Sequence, residues 1–304
     1  MNTLKIQAAV GFCLWIFLIF TNQSFYKSND WHVRIIELAS LVWLPLGISI
    51  LEKKAYIHFS KWLKDSILAC ALLLIVALEQ SENYFDYFAL PYLFLTIFIA
   101  VNAIENWIFL PKEISNTTLT LAQVLLLVGS SWTIAHCFDF QPFGFDKEIV
   151  TLTGVHFHYA GFLLLTFAGI LTLYDEHFLS KIACQLLMLS VPLTAIGITT
   201  SHYTHYFLLE SIAAVCVTLG AVCLVFSQLF SITKQTRNWV KISTFLFSIT
   251  LLFSMSLAFL YAIRPWYSID WLTIPYMKAI HGSCNGILVP VFGILICWSK
   301  KSDF

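Results

Sequence analysis

Charge is what this chain has least of. Only 11% of its 304 residues are charged, less than half the share of about 25% found in a soluble domain. So few charges cannot cover a water-facing surface, which excludes a soluble globular fold. A disordered chain is excluded by the opposite excess, 59% hydrophobic and 16% aromatic residues. The eight cysteines contain no C-x-x-C pair, which removes a zinc knuckle, a thioredoxin motif and a haem attachment site. Most lie inside apolar runs and read as small hydrophobic side chains, and nothing suggests a disulfide-rich secreted module. Cys137 and Cys284 stand out only because each sits near a histidine. No basic block points to nucleic acid, and Lys+Arg and Asp+Glu balance at 17 each. There is no H-E-x-x-H, no low-complexity tract, no linker and no clear internal repeat, so one transmembrane domain over 1–304 is expected.

What remains is a series of long apolar runs. A membrane-spanning helix needs about 20 apolar residues. Ten such runs are legible, over 5–21, 33–51, 63–80, 87–110, 117–137, 148–173, 179–200, 205–231, 240–262 and 273–298. The expected fold is therefore all-α, a polytopic bundle. The first run reads as a retained anchor, because Thr21-Asn22-Gln23-Ser24 is a poor small-residue cleavage site.

An even number of spans puts both ends of the chain on one side. That side collects Lys5, Lys53, Lys54, Lys61, Lys64, Lys112, Lys181, Lys234, Arg237, Lys241, Lys300 and Lys301, against Lys27, Arg34, Lys147, Arg264 and Lys278 on the other. The positive-inside rule makes the richer side cytoplasmic. The opposite loops are acidic, with Asp30, Glu82, Asp86, Asp139, Asp146 and Asp270.

The nine histidines divide unevenly over these sides. His58 and His177 fall in cytoplasmic loops; His32, His136, His156, His158, His202, His205 and His281 all fall in the outer half. At membrane depth a polar ring costs free energy unless it is paired. His156 and His158 differ by about 200° on an ideal helix, so they point apart unless the helix is distorted near Gly154. His202, Tyr206 and Glu210 form one line if their helix begins early, and Lys278, His281 and Asn285 share a face.

Imidazoles with a carboxylate are a usual ligand set for zinc or non-haem iron. His156, His158, His202, His205 and His281 are thus candidate metal ligands. Glu210 is a candidate ligand or general base, and Lys278 and Asn285 complete a candidate catalytic set. Metal-activated water would suit hydrolysis of a lipid-like substrate, and iron would suit oxidation of an apolar one. Two other readings stay open. The same residues fit a permease or proton relay, or a buried polar network in which Thr153, Tyr159, Tyr203 and Tyr206 satisfy the rings.

Other charges sit in or near the spans. Glu37 lies close to His32 and Arg34 and reads as an internal ion pair. Glu79 reads as solvated at the outer boundary. Glu105 reads as a packing group beside Asn102 and Asn106. Trp132, Phe138, Phe140, Phe143, Phe145, Trp266, Tyr267 and Trp271 read as an interfacial aromatic belt. Pro142 and Gly144 give the segment from Asp139 to Asp146 turn chemistry that suits a lid, and Glu148 suits a helix N-terminus.

Two segments carry a family resemblance. The first is Phe143-Gly144-Phe145 followed by Glu148-Ile149-Val150 and TLTGVHFHYAGF over 151–162; the second is His281-Gly282-Ser283-Cys284-Asn285-Gly286. Together they resemble signature segments of the YndJ-like membrane proteins of Bacillus and other bacteria. That resemblance implies a multi-pass protein of the bacterial cytoplasmic membrane in contact with lipid; it brings no mechanism.

Overall fold

The computed structural model describes residues 3–21, 31–55, 57–80, 84–175 and 177–300. The sequence features at 22–24, Lys27, Asp30, Glu82, Lys301 and the side chain of Lys234 lie outside the described residues. The described residues are helical and contain no strand. The helices are α1 (Thr3–Thr21), α2 (Trp31–Lys54), α3 (Lys61–Glu79), α4 (Asp86–Phe109), α5 (Ile114–Cys137), α6 (Lys147–Tyr174), α7 (Phe178–Thr204), α8 (Leu208–Ser231), α9 (Asn238–Ala262) and α10 (Ile274–Ser299). Each coincides with one of the ten apolar runs. Among the described residues nine are long and apolar enough to cross a membrane. The tenth, α3, is interrupted in that respect only by Lys61, Lys64, Asp65 and Glu79 at its ends. Large side chains such as Phe12, Phe94, Phe98, Phe226, Phe245 and Phe253 are exposed on the helix surfaces. In a protein of this composition such faces contact lipid.

Local chemistry sets several helix boundaries. Asp146 caps α6, its carboxylate accepting from the Ile149 N–H at 2.8 Å, which satisfies one of the orphan donors of the first turn. His177 caps α7 through Nδ1, which accepts from the Leu179 N–H at 3.2 Å. Three helices are interrupted by wider π-helical turns, at Ala39–Trp43 in α2, Phe157–Leu164 in α6 and Cys284–Leu288 in α10. In α2 and α10 a proline follows at once, Pro45 and Pro290. A proline ring collides with the carbonyl four residues back and has no N–H to offer it. Those carbonyls belong to Leu41 and Gly286, inside the widened turns. The wider turn makes room for the ring without ending the helix.

The chain forms two compact units. One comprises 1–111 and 120–163, the other 112–119 and 164–304. In the first, α2 is the central helix, buried along most of its length. Trp15 of α1 donates its indole N–H to the Arg34 carbonyl at 2.7 Å, and Tyr159 of α6 donates to the Ile35 carbonyl at 2.9 Å. In the second unit α7 and α8 run side by side at close range. Gly197 permits this, since a Cβ there would lie 2.7 Å from the Glu210 Cα. Phe167 packs edge-on against Phe247 and into the gap left by Gly293.

Candidate functional site

Among the described residues, a buried cluster of three charged side chains lies in the first unit. Arg34 and Glu37 are one turn apart on α2. The guanidinium Nη1 donates to both Glu37 oxygens, at 2.7 and 2.8 Å. The same Nη1 lies 2.5 Å from Oε1 of Glu79, the last residue of α3. The Glu37 side chain is fully buried and that of Glu79 is 17% exposed. Oxygens of Glu37 and Glu79 thus crowd the same guanidinium nitrogen. Two carboxylates therefore surround one guanidinium. The expected pairing of Glu37 with Arg34 is present. Glu79 differs from its expected solvated state because the end of α3 delivers it to the Arg34 side chain.

The candidate ligands His156 and His158 point apart on α6. The α-helix runs regularly through His156 and widens only from Phe157, so the 200° divergence survives. His156 is exposed, and its Nδ1–H donates to the Leu152 carbonyl at 2.7 Å. His158 is buried. Its Nδ1–H donates to the Gly154 carbonyl at 2.8 Å, which leaves Nε2 to accept from the Tyr92 hydroxyl at 3.0 Å. Gly129 of α5 makes room for this ring; a Cβ there would lie 2.9 Å from His158 Nδ1. Tyr92 was invisible to sequence reasoning, because an isolated tyrosine in an apolar run carries no spacing signal.

His158→Ala is thus expected to lower stability by about 1–3 kcal/mol, the cost of a buried hydroxyl left without its acceptor. His156→Ala should change it by about 0.5 kcal/mol or less. Thermal unfolding of the two variants in detergent checks this. Equal losses would contradict the divergence of the rings.

In the second unit, Glu210 is buried at the start of α8. Its Oε2 accepts from the Ser201 hydroxyl at 2.7 Å, and its Oε1 lies 3.3 Å from Nη1 of Arg264. The Arg264 guanidinium also covers the Tyr261 ring at 3.8 Å and donates to the Tyr261 carbonyl. Glu210 is thus held by a hydroxyl and a guanidinium. The expected line through His202, Tyr206 and Glu210 does not form. His205 ends α7 in the left-handed conformation, φ 56°, and α8 begins only at Leu208. His202 and His205 are both exposed, and His202 lies edge-on to Tyr203.

His281 of α10 is clipped to α9. Its Nδ1–H donates to the Ser254 carbonyl at 2.9 Å, and Nε2 accepts from Asn285 Nδ2 at 3.1 Å. The Ser254 hydroxyl also lies 3.0 Å from Nδ1. The expected face shared by His281 and Asn285 is therefore formed, and Lys278 is buried one turn earlier. Among the described residues no three His, Cys, Asp or Glu side chains are grouped to hold a metal ion.

The aromatic segment expected as a lid folds back onto α5. Phe143 and Phe145 pack with tilted rings against Trp132 at 6.4 and 6.2 Å, while Phe140 and Phe143 remain exposed. Glu105 is exposed, beside the Asn102–Asn106 contact on α4.

The sequence profile of the YndJ-like proteins matches residues 34–289. The chain belongs to the YndJ-like family. It is similar to a protein of Bacillus subtilis (strain 168), named as the uncharacterized membrane protein YndJ, with 29% identity over 273 residues. The similarity covers 87% of this chain and 48% of that protein, so the chain spans about half the length of the curated relative it matches. No solved structure is significantly similar to it. The YndJ-like region begins at Arg34 itself and includes Glu37, Glu79, His158, Glu210, Arg264 and His281. The charged cluster and both histidine clips therefore fall within the family's own segment.

Proposed function

We propose that this YndJ-like protein is an ion-coupled permease of the bacterial cytoplasmic membrane, with Arg34, Glu37 and Glu79 as its ion-handling site. The reading rests on one observation: three charged side chains from two helices meet at the buried start of α2, with two negative charges against one positive. Ionisable groups within membrane spans are costly and mark ion pathways and proton relays. A purely structural ion pair needs one carboxylate; the second creates an imbalance that a mobile ion can fill. The widened turn just beyond, at Ala39–Trp43, supports the same reading, because π-helical turns recur at functional sites. The Lys and Arg asymmetry supports cytoplasmic ends and an extracytoplasmic mouth near this cluster.

The metal-dependent enzyme has less support. Its ligand set would need donors gathered around one point, and both nitrogens of His158 and of His281 are taken up by protein groups.

The test is flux. Proteoliposomes holding the protein, a pH indicator and a pool of amino acids, sugars, nucleosides and carboxylates are given an imposed membrane potential. Potential-driven ion uptake at least tenfold above empty vesicles is expected, reduced to the empty-vesicle rate by Glu37→Gln. Identical traces for protein-containing and empty vesicles would defeat the proposal.

A further inference from the structure

The same cluster indicates which ion it handles. A hard metal cation such as Ca2+ or Mg2+ would sit directly between the carboxylate oxygens. Here Glu37 Oε1, Glu37 Oε2 and Glu79 Oε1 already face Arg34 Nη1. The guanidinium occupies the position between the carboxylates that a metal ion would need, and a second cation there would meet its charge directly. A proton has neither difficulty. It needs one oxygen to bind and one to accept, and oxygens of both carboxylates lie within 2.5–2.8 Å of the same Arg34 nitrogen. Two ionised carboxylates held against one nitrogen repel, and a proton on one of them relieves that repulsion.

We infer that the ion held at this cluster is a single proton, shared between the carboxyl groups of Glu37 and Glu79, with the Arg34 guanidinium as their fixed counter-charge.

With that proton the cluster carries one negative and one positive charge and is neutral overall, which suits its burial. The exchange is balanced. A hydronium at the partly exposed Glu79 gives up a proton, one O–H bond forms on the carboxylate and a water leaves. The proton departs by the reverse step. Glu37 is fully buried, and Glu79 is the more exposed of the two carboxyl groups. Among the described residues, the titratable or charged groups at this end of the packed elements include His32 on α2, Asp86 at the start of α4, His136 and Asp139 at the end of α5, and Lys147 and Glu148 at the start of α6. Near the cluster α1 contributes the neutral Trp15 indole. His136 is bonded to Thr151 through Nδ1 at 2.5 Å.

The inference rests on the permease reading for its purpose, but its test does not. Infrared spectroscopy of the whole protein in lipid nanodiscs at neutral pH reads the C=O stretch of a protonated carboxyl group directly. One such band is expected. It should shift in D2O and disappear in both Glu37→Gln and Glu79→Gln, because either change leaves a single carboxylate facing Arg34. The Glu79 variant alters the partly exposed end of the cluster and serves if Glu37→Gln does not fold. A wild-type spectrum without that band, or a band that survives in a folded Glu79→Gln variant, overturns the shared proton. Cation flux without the band leaves the permease and removes the proton; the band without flux keeps the proton site and removes the permease.

Discussion

Replacing Arg34 with methionine is expected to cost about 3–5 kcal/mol of stability, the range for removing one partner of a buried ion pair. Methionine keeps much of the volume, so the loss reports charge and not a cavity. It leaves Glu37 fully buried and opposite a second carboxylate, with no positive group between them. The Trp15 contact is untouched, because it uses the Arg34 main-chain carbonyl. Adding Glu37→Leu should recover most of the deficit. The remaining carboxylate, Glu79, stands at the end of α3 and is partly exposed, so water can take over its solvation. A double-mutant cycle followed by tryptophan fluorescence in detergent measures the coupling. If the two single losses simply add, Arg34 and Glu37 do not act as a pair and the cluster has no energetic identity.

The span pattern was plain in the sequence because it depends on length and hydropathy, which a single strand of residues displays. The Arg34–Glu37 pair was legible for a related reason: three residues apart on a helix, they must share a face. Glu79 was not legible as its partner, since no spacing rule links the end of one helix to the start of another. The same limit hid Tyr92 as the acceptor's donor at His158, and Ser201 and Arg264 as the partners of Glu210. The histidine stripe failed at a defined place. It required α8 to begin before His205, and His205 instead takes the left-handed conformation that terminates α7. An l-residue other than glycine rarely adopts that state, so sequence alone gives no reason to expect the break there. The one-sided placement of the histidines came out as separate local pairings, with His158 serving Tyr92 and His281 serving Ser254 and Asn285.

Gly11→Ala and Gly282→Ala should move stability in opposite directions, although both place alanine within a helix. Helix propensity alone favours each change by about 1 kcal/mol. At Gly282 nothing opposes it: an added Cβ meets only the Met277 carbonyl at 3.8 Å, an ordinary contact. A gain of up to about 1 kcal/mol is expected there. At Gly11 the added Cβ would lie 2.3 Å from the Leu41 carbonyl oxygen and 2.9 Å from its carbon. That obstacle is backbone, and it cannot rotate away. It also sits in the widened turn of α2, four residues before Pro45, where the helix has already been opened to admit the proline ring. α1 must therefore withdraw from α2, and Trp15, one turn further on, is drawn away from the Arg34 carbonyl. A net loss of about 1–3 kcal/mol is expected, in the range for overpacking a close contact, and Glu37→Gln introduced beside it should show non-additivity because Glu37 lies one turn before Leu41 on α2. Thermal unfolding of the two alanine variants side by side decides the matter. A stabilised Gly11→Ala would mean that α1 does not lie against the widened turn, and the positioning of Arg34 would then need another source.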